Sequence, residues 1–257
     1  MATDRGLSSF FQDAVWADSL VSLVLPELIE NARPSRLLRV WSPACGTGEE
    51  LFSVSLMLAE ALPDADEWSI FLTGTDADDG RLTRARRAAF PEGALKHLSR
   101  EDRVAFFRYN PNTRRYGLRQ QFMRNAHFSH RALTDLTTPT PAPGTFDLVL
   151  CPDKVTALPR EQQQALIAYY GSVLSERGVL VARKRLDGAI DGFSTVFHAG
   201  LLAHRRSEPP QPISSVPSSE LPTVRPPASN SDWSRAYQAE LAFAQQAHGR
   251  FHVPPGV

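Results

Sequence analysis

The sequence predicts an α/β protein built on an open, doubly wound, mostly parallel sheet. Three observations carry that prediction. Short apolar runs alternate with helical stretches through residues 20–182. A turn with two glycines, Gly46 and Gly48, stands between the first apolar run and a helix. An acid, Asp76, closes the second run. Strands covered on both faces appear as continuous apolar runs, and the intervening helices supply the crossovers that parallel pairing needs.

The elements follow in order. Leu20 to Ile29 has the spacing of a helix and ends in the polar, proline-containing stretch from Asn31 to Ser35. Leu37 to Trp41 suits a buried strand, and Gly48 to Leu62 suits a helix that Pro63 stops. Trp68 to Thr73 is the second strand, followed by a helix from about Asp79 to Ala89. Phe146 to Cys151 is a third strand, and Arg160 to Leu174 is a helix with Pro159 near its first turn. Gly178 to Ala182 is a fourth strand. Between Pro91 and Arg131 short polar and aromatic pieces replace this rhythm, which suggests an inserted subdomain.

Four segments result. Residues 1–36 form an N-terminal helical lead-in and 37–206 the main domain, with the insertion at about 91–131. Residues 207–230 are a linker, and 231–257 an amphipathic helix and tail. In the 24 residues from Ser207 to Asn230 seven are proline and six are serine. Such a stretch buries too little surface to offset its ordering entropy. Beyond it Trp233, Tyr237, Leu241, Ala244 and His248 recur at spacings of three or four, behind Asp232 as a cap.

Composition narrows the function. The chain has 257 residues, 28 Lys or Arg and 28 Asp or Glu, so no global field steers it toward nucleic acid or an anionic membrane. No stretch reaches the ~18 apolar residues of a membrane span, and the start lacks a secretory pattern, which makes a cytoplasmic protein the default. The two cysteines, Cys45 and Cys151, adjoin apolar runs and suit interior thiols rather than a disulfide. Seven scattered histidines, His127 and His130 among them, have no metal-ligand spacing, so no metal is expected. Charge is uneven locally: residues 81–119 hold eleven Lys or Arg and three acids. That excess suits a solvated basic face or a docking surface for an acidic protein helix, and no nucleic-acid motif accompanies it.

The chemistry concentrates in Ala44-Cys45-Gly46-Thr47-Gly48-Glu49-Glu50. Glycine lets the backbone take positive φ and approach a ligand, and the helix that starts there offers unpaired N–H groups. The spacing is neither a dinucleotide fingerprint nor a P-loop, and the acids after the turn would repel a phosphate but suit a cationic or amino end. Asp76, 28 residues after Gly48, ends the second strand, where a ribose diol is bound in such units. Its replacement by alanine is therefore expected to weaken a nucleoside ligand and spare the fold. Glu50 suits a helix-start or surface acid. Cys151 and Asp153 end the third strand at the carboxyl edge of the sheet and complete the candidate cofactor-binding set of Ala44, Cys45, Gly46, Thr47, Gly48, Glu49 and Asp76.

Trp41-Ser42-Pro43-Ala44-Cys45-Gly46-Thr47-Gly48-Glu49-Glu50 closely resembles the first motif of the CheR-type chemoreceptor methyltransferases. The likeness continues in register through Phe10-Phe11-Gln12-Asp13, Gly74-Thr75-Asp76, Arg84 to Pro91, Phe106-Phe107, Tyr116 to Arg119 and Phe146 to Cys151. The resemblance implies a class I S-adenosylmethionine-dependent methyltransferase fold with S-adenosyl-L-methionine as cofactor. It places the methionine end at the glycine turn and Glu49, and the ribose at Asp76. The acceptor it implies is a glutamate side chain on a chemoreceptor helix, and the setting chemotaxis signal transduction. Several polar positions of the family are altered. Gln12 stands for its arginine, Ala132 for an asparagine, Pro152 and Asp153 for an Arg-Asn pair, and Ala157 for a tyrosine. No catalytic residue is assigned. Two functions follow: a methyltransferase for a protein carboxylate or a changed acceptor, and a catalytically impaired cofactor-binding module in a signalling assembly.

Overall fold

A computed structural model describes residues 9–136, 144–186, 192–198 and 200–206. The chain enters through α1 (Ala14–Ser19), whose N-cap Asp13 accepts a hydrogen bond from the Trp16 amide at 3.0 Å. It widens into π-helical turns at Leu20–Val24 and continues as α2 (Leu25–Ala32), with Pro26 in the first turn. Proline offers no N–H to the Ser22 carbonyl, and the widened turns lie immediately before it. The cap at Asp13 explains why this helical stretch begins before Leu20.

Then come β1 (Leu37–Pro43), α3 (Glu49–Ala61), β2 (Ser69–Asp76), α4 (Asp79–Arg87) and β3 (Ala89–Phe90). Next are α5 (Arg100–Phe106), β4 (Phe107–Asn110), β5 (Arg115–Leu118), β6 (Ala126–His130), β7 (Phe146–Cys151) and α6 (Arg160–Val173). The described part ends with β8 (Leu174–Ala182), β9 (Phe193–His198) and β10 (Leu201–Arg206).

Seven strands form one sheet in the order β6-β2-β1-β7-β8-β10-β9, parallel except that β10 runs antiparallel to both neighbours. This is the class I S-adenosylmethionine-dependent methyltransferase architecture. The order reverses at β1, which continues to β2 on one side and pairs with β7 on the other. In open α/β sheets the ligand crevice lies outside the carboxyl ends of the strands at such a reversal.

Alternation along β1 sends its side chains to two cores. Leu38 and Val40 join the layer under α1, α2 and α3. Trp41 joins the layer under α6, stacked on Phe146 with ring centroids 5.2 Å apart and met edge-on by Tyr169 and Tyr170. A second sheet, β3-β5-β4, forms the insertion from residues 89–118, whereas β6 at 126–130 belongs to the large sheet. The insertion therefore closes before Arg131. Strand β6 escapes sequence reading because Phe128 is its one buried residue, set among His127, Ser129 and His130.

Phe10, fully buried, joins the lead-in to the small sheet by edge contacts with Phe90 at 4.9 Å and Phe107 at 5.0 Å. Among the described residues no helix is long and apolar enough to cross a membrane. The expected linker at 207–230 and the helix from Trp233 to His248 lie outside the described residues.

Candidate functional site

The turn between β1 and α3 is built on positive φ: 51° at Ala44, 61° at Gly46 and 92° at Gly48. Three contacts hold it. The Cys45 amide donates to the Thr75 carbonyl at 2.9 Å, and the Gly48 amide to the Cys45 carbonyl at 3.0 Å. The Gly46 amide donates to Oδ2 of Asp76 at 2.9 Å, while Oδ1 of Asp76 takes the Asp78 amide at 3.0 Å. The buried Asp76 carboxylate therefore ties the turn to the end of β2.

The two glycines serve different needs. A Cβ on Gly46 would meet nothing within 4 Å, so the backbone there borders open space. A Cβ on Gly48 would stand 3.0 Å from the Phe52 ring. Gly74, opposite the turn on β2, has no room at all: a Cβ there would lie 2.5 Å from the Phe128 ring and 2.9 Å from the Cys45 sulfur.

The open space is a cavity of about 660 Å³, within the range of small-ligand sites. The turn lines it through Ala44, Cys45, Gly46, Thr47, Glu49 and Glu50. The lead-in contributes Ser9, Phe11, Gln12 and Trp16, α4 contributes Arg81 and Arg84, and β5 contributes Arg115. Lys154 and Arg183 complete it from the ends of β7 and β8. Glu49, buried, accepts from the Thr47 hydroxyl at 2.6 Å. Ser9 Oγ and Trp16 Nε1 are buried side-chain atoms of this lining with no hydrogen-bond partner among the described residues.

Five of the nine sequence-derived site residues thus line the cavity: Ala44, Cys45, Gly46, Thr47 and Glu49. Four do not. Gly48 lies behind the turn as the N-cap of α3, and Asp76 braces the turn from beneath. Cys151 is packed under α6, and Asp153 is engaged by Arg183.

Glu50 is no ordinary surface acid. Its Oε2 accepts from Nη2 of Arg183 at 3.2 Å, and Arg183 Nε reaches Oδ1 of Asp153 at 3.4 Å. The same guanidinium lies 5.0 Å above the Trp16 ring. Burial pushes the Glu50 pKa up, against the pull of Arg183. Burial also works against the Arg183 charge, but Glu50 and Asp153 outweigh it and leave its pKa raised. The spacing from Glu50 to Arg183, 133 residues, hides this pair from sequence reading.

Both thiols are buried. Burial and then the neighbouring Asp76 push Cys45 up to about 12, and burial with Glu50 and Asp153 raises Cys151 as well. His130 pairs with Asp79 at 3.1 Å on the surface, and no cluster of metal-ligating side chains occurs among the described residues.

The residues present fit S-adenosylmethionine. The cavity has the volume, Gly46 leaves its backbone open to it, and the buried Glu49 sets a carboxylate beside that turn. The family profile described as "CheR methyltransferase, SAM binding domain" matches residues 6–185. The chain belongs to the CheR methyltransferase family. As a member of it, the chain carries the family's S-adenosylmethionine-binding domain. A probable chemotaxis protein methyltransferase of Rhizobium etli is 27% identical over 173 residues, which cover 66% of this chain and 63% of that protein. The chemotaxis protein methyltransferase of Salmonella typhimurium is 29% identical over 185 residues, 70% of this chain and 60% of that one. The chain thus spans less than two thirds of these relatives. Among solved structures, magnesium protoporphyrin IX methyltransferase from Synechocystis PCC 6803 superposes with a TM-score of 0.39 at 19% identity, covering 74% of this chain and 82% of that one.

Proposed function

We propose that this CheR-family domain works in the cytoplasm, transferring the methyl group of S-adenosylmethionine to a carboxylate on an acidic protein segment of a signalling pathway. The observation that carries this reading is the charge layout of one cavity. Glu49 and Glu50 stand at the glycine turn, and Arg81, Arg84, Arg115 and Lys154 line the same cavity. The bound cofactor supplies an electrophilic methyl on a sulfonium. Glu49 suits that positive charge, and Gly46 lets the backbone approach it. The basic wall suits an acidic polypeptide, whose carboxylate attacks without needing a base because it is already ionised. Methyl leaves sulfur as the ester C–O bond forms, giving S-adenosylhomocysteine and a neutral ester. Asp76 remains a candidate ribose acceptor through lone pairs that its two amide bonds leave over.

A second reading, a cofactor-binding module without turnover, is supported by Ala132, Pro152 and Ala157, which bring no side-chain polar group to positions where the family has them. Radiolabelled S-adenosylmethionine and acidic helical peptides carrying Glu, or Gln at the same site, separate the two. Transfer is expected to the Glu peptide alone, with the label released by mild alkali as methanol. Binding of cofactor with no label above the no-enzyme control would leave only the module.

A further inference from the structure

We infer that an acceptor carboxylate is held at the β7–β8 end of the cavity by a fork made of Arg183 and Lys154, so these two residues determine specificity. The inference rests on the methyltransferase reading for the identity of the reaction, but its test does not. The glycine turn, open to the cavity at Gly46, gives the β1–β2 half of the crevice to the cofactor. The ends of β7 and β8 are left for the second substrate, and there the cavity is lined by two cations: Arg183 follows β8, and Lys154 follows β7.

Arg183 is held in place. Glu50 takes Nη2, Asp153 takes Nε, and the Trp16 ring lies beneath the guanidinium plane. Nη1 has no protein hydrogen bond among the described residues, so a planar donor is positioned and still has N–H groups to give. Lys154 is exposed and makes no ion pair with a described residue. Its charge and that of Arg183 balance Glu50 and Asp153, so an incoming carboxylate meets donors rather than a repulsive field. Gln12, on the lead-in side of the same cavity, is neutral, and Trp16 Nε1 has no hydrogen-bond partner among the described residues.

The probe is glutarate, titrated into protein saturated with S-adenosylhomocysteine and followed by calorimetry. Glutaramide, its uncharged analogue, is the control. Removing Arg183 alone would leave two acids uncompensated, so the decisive variant is the double Glu50→Gln, Arg183→Met, which conserves net charge and replaces both partners of the half-buried pair together. We expect glutarate to bind the wild type saturably and at least about tenfold more weakly to the double variant, the scale of a lost charge-assisted pair. Lys154→Gln should weaken it by roughly threefold or more, as an exposed charge does. Glutaramide should bind neither protein. The inference is overturned if the wild type ignores glutarate, or if the double variant binds it within about twofold of wild type. It is also overturned if the folded double variant can no longer be saturated with S-adenosylhomocysteine, because the pair then serves the cofactor. Binding that depends on Arg183, in a protein that transfers no methyl, would sink the proposed function and leave the fork standing. Transfer with a KM unmoved by the double variant would do the reverse.

Discussion

Replacing Asp76 with alanine tests what this acid is for. Its carboxylate is buried and accepts two backbone amides, from Gly46 at 2.9 Å and Asp78 at 3.0 Å. Hydrogen bonds to an ionised acceptor contribute about 1.5–3 kcal/mol each. The Asp78 amide sits on an exposed residue and regains water in the mutant, while the half-buried Gly46 amide does so only in part. The structure therefore assigns Asp76→Ala a loss of about 2–4 kcal/mol of folding stability. The expectation from sequence, a fold that barely changes, is the opposing outcome. Urea denaturation followed by circular dichroism measures it, and titration with S-adenosylhomocysteine gives the affinity of the surviving folded protein. Asp76→Asn should fall between, since one amide oxygen can still accept from one N–H. A stability change below about 1 kcal/mol, accompanied by lost affinity, would refute the bracing role and leave Asp76 a ribose ligand alone.

Two further perturbations have separable outcomes. Gly74→Ala forces a methyl onto the Phe128 ring and the Cys45 sulfur and should cost about 2–3 kcal/mol or more, whereas Gly46→Ala meets no atom and should cost about 1 kcal/mol for its positive φ while lowering cofactor affinity. Equal losses in parallel urea melts would contradict the packing account. His204 is buried and its pKa is lowered to about 4 by desolvation, so between pH 6.5 and 4 the unfolded chain binds the extra proton. Stability should be fully present above pH 6.5 and fall by up to about 3 kcal/mol as pH drops toward 4, a decline that His204→Gln flattens.

The alternation of apolar runs marked β1, β2, β7 and β8 because strands buried on both faces leave an unbroken apolar signature. Strand β6 lacks it as an edge element with one buried side chain, and β9, exposed along most of its length, lacks it too. The site divides in the same way. The glycine turn is contiguous in sequence and was legible. Arg183, Lys154 and the wall of Arg81, Arg84 and Arg115 converge only through the topology, and local charge counting marked the basic region without aiming it at a cavity. Asp76 was picked out by position, but its bond to Gly46 spans 30 residues and emerges only when β1 and β2 pair.

The reversal of strand order at β1 also sets a timetable for biosynthesis. Strands β1, β2 and β6 all lie within the first 130 residues and can pair while the ribosome is still making the rest. That half-sheet presents the outer side of β1, the future centre of the molecule, as an unpaired hydrogen-bonding edge until β7 emerges at Phe146. An apolar, uncovered edge is the geometry that recruits a second chain. A nascent chain therefore carries such an edge from the pairing of β1 with β2 until β7 arrives, a span in which masking of strand edges favours correct assembly.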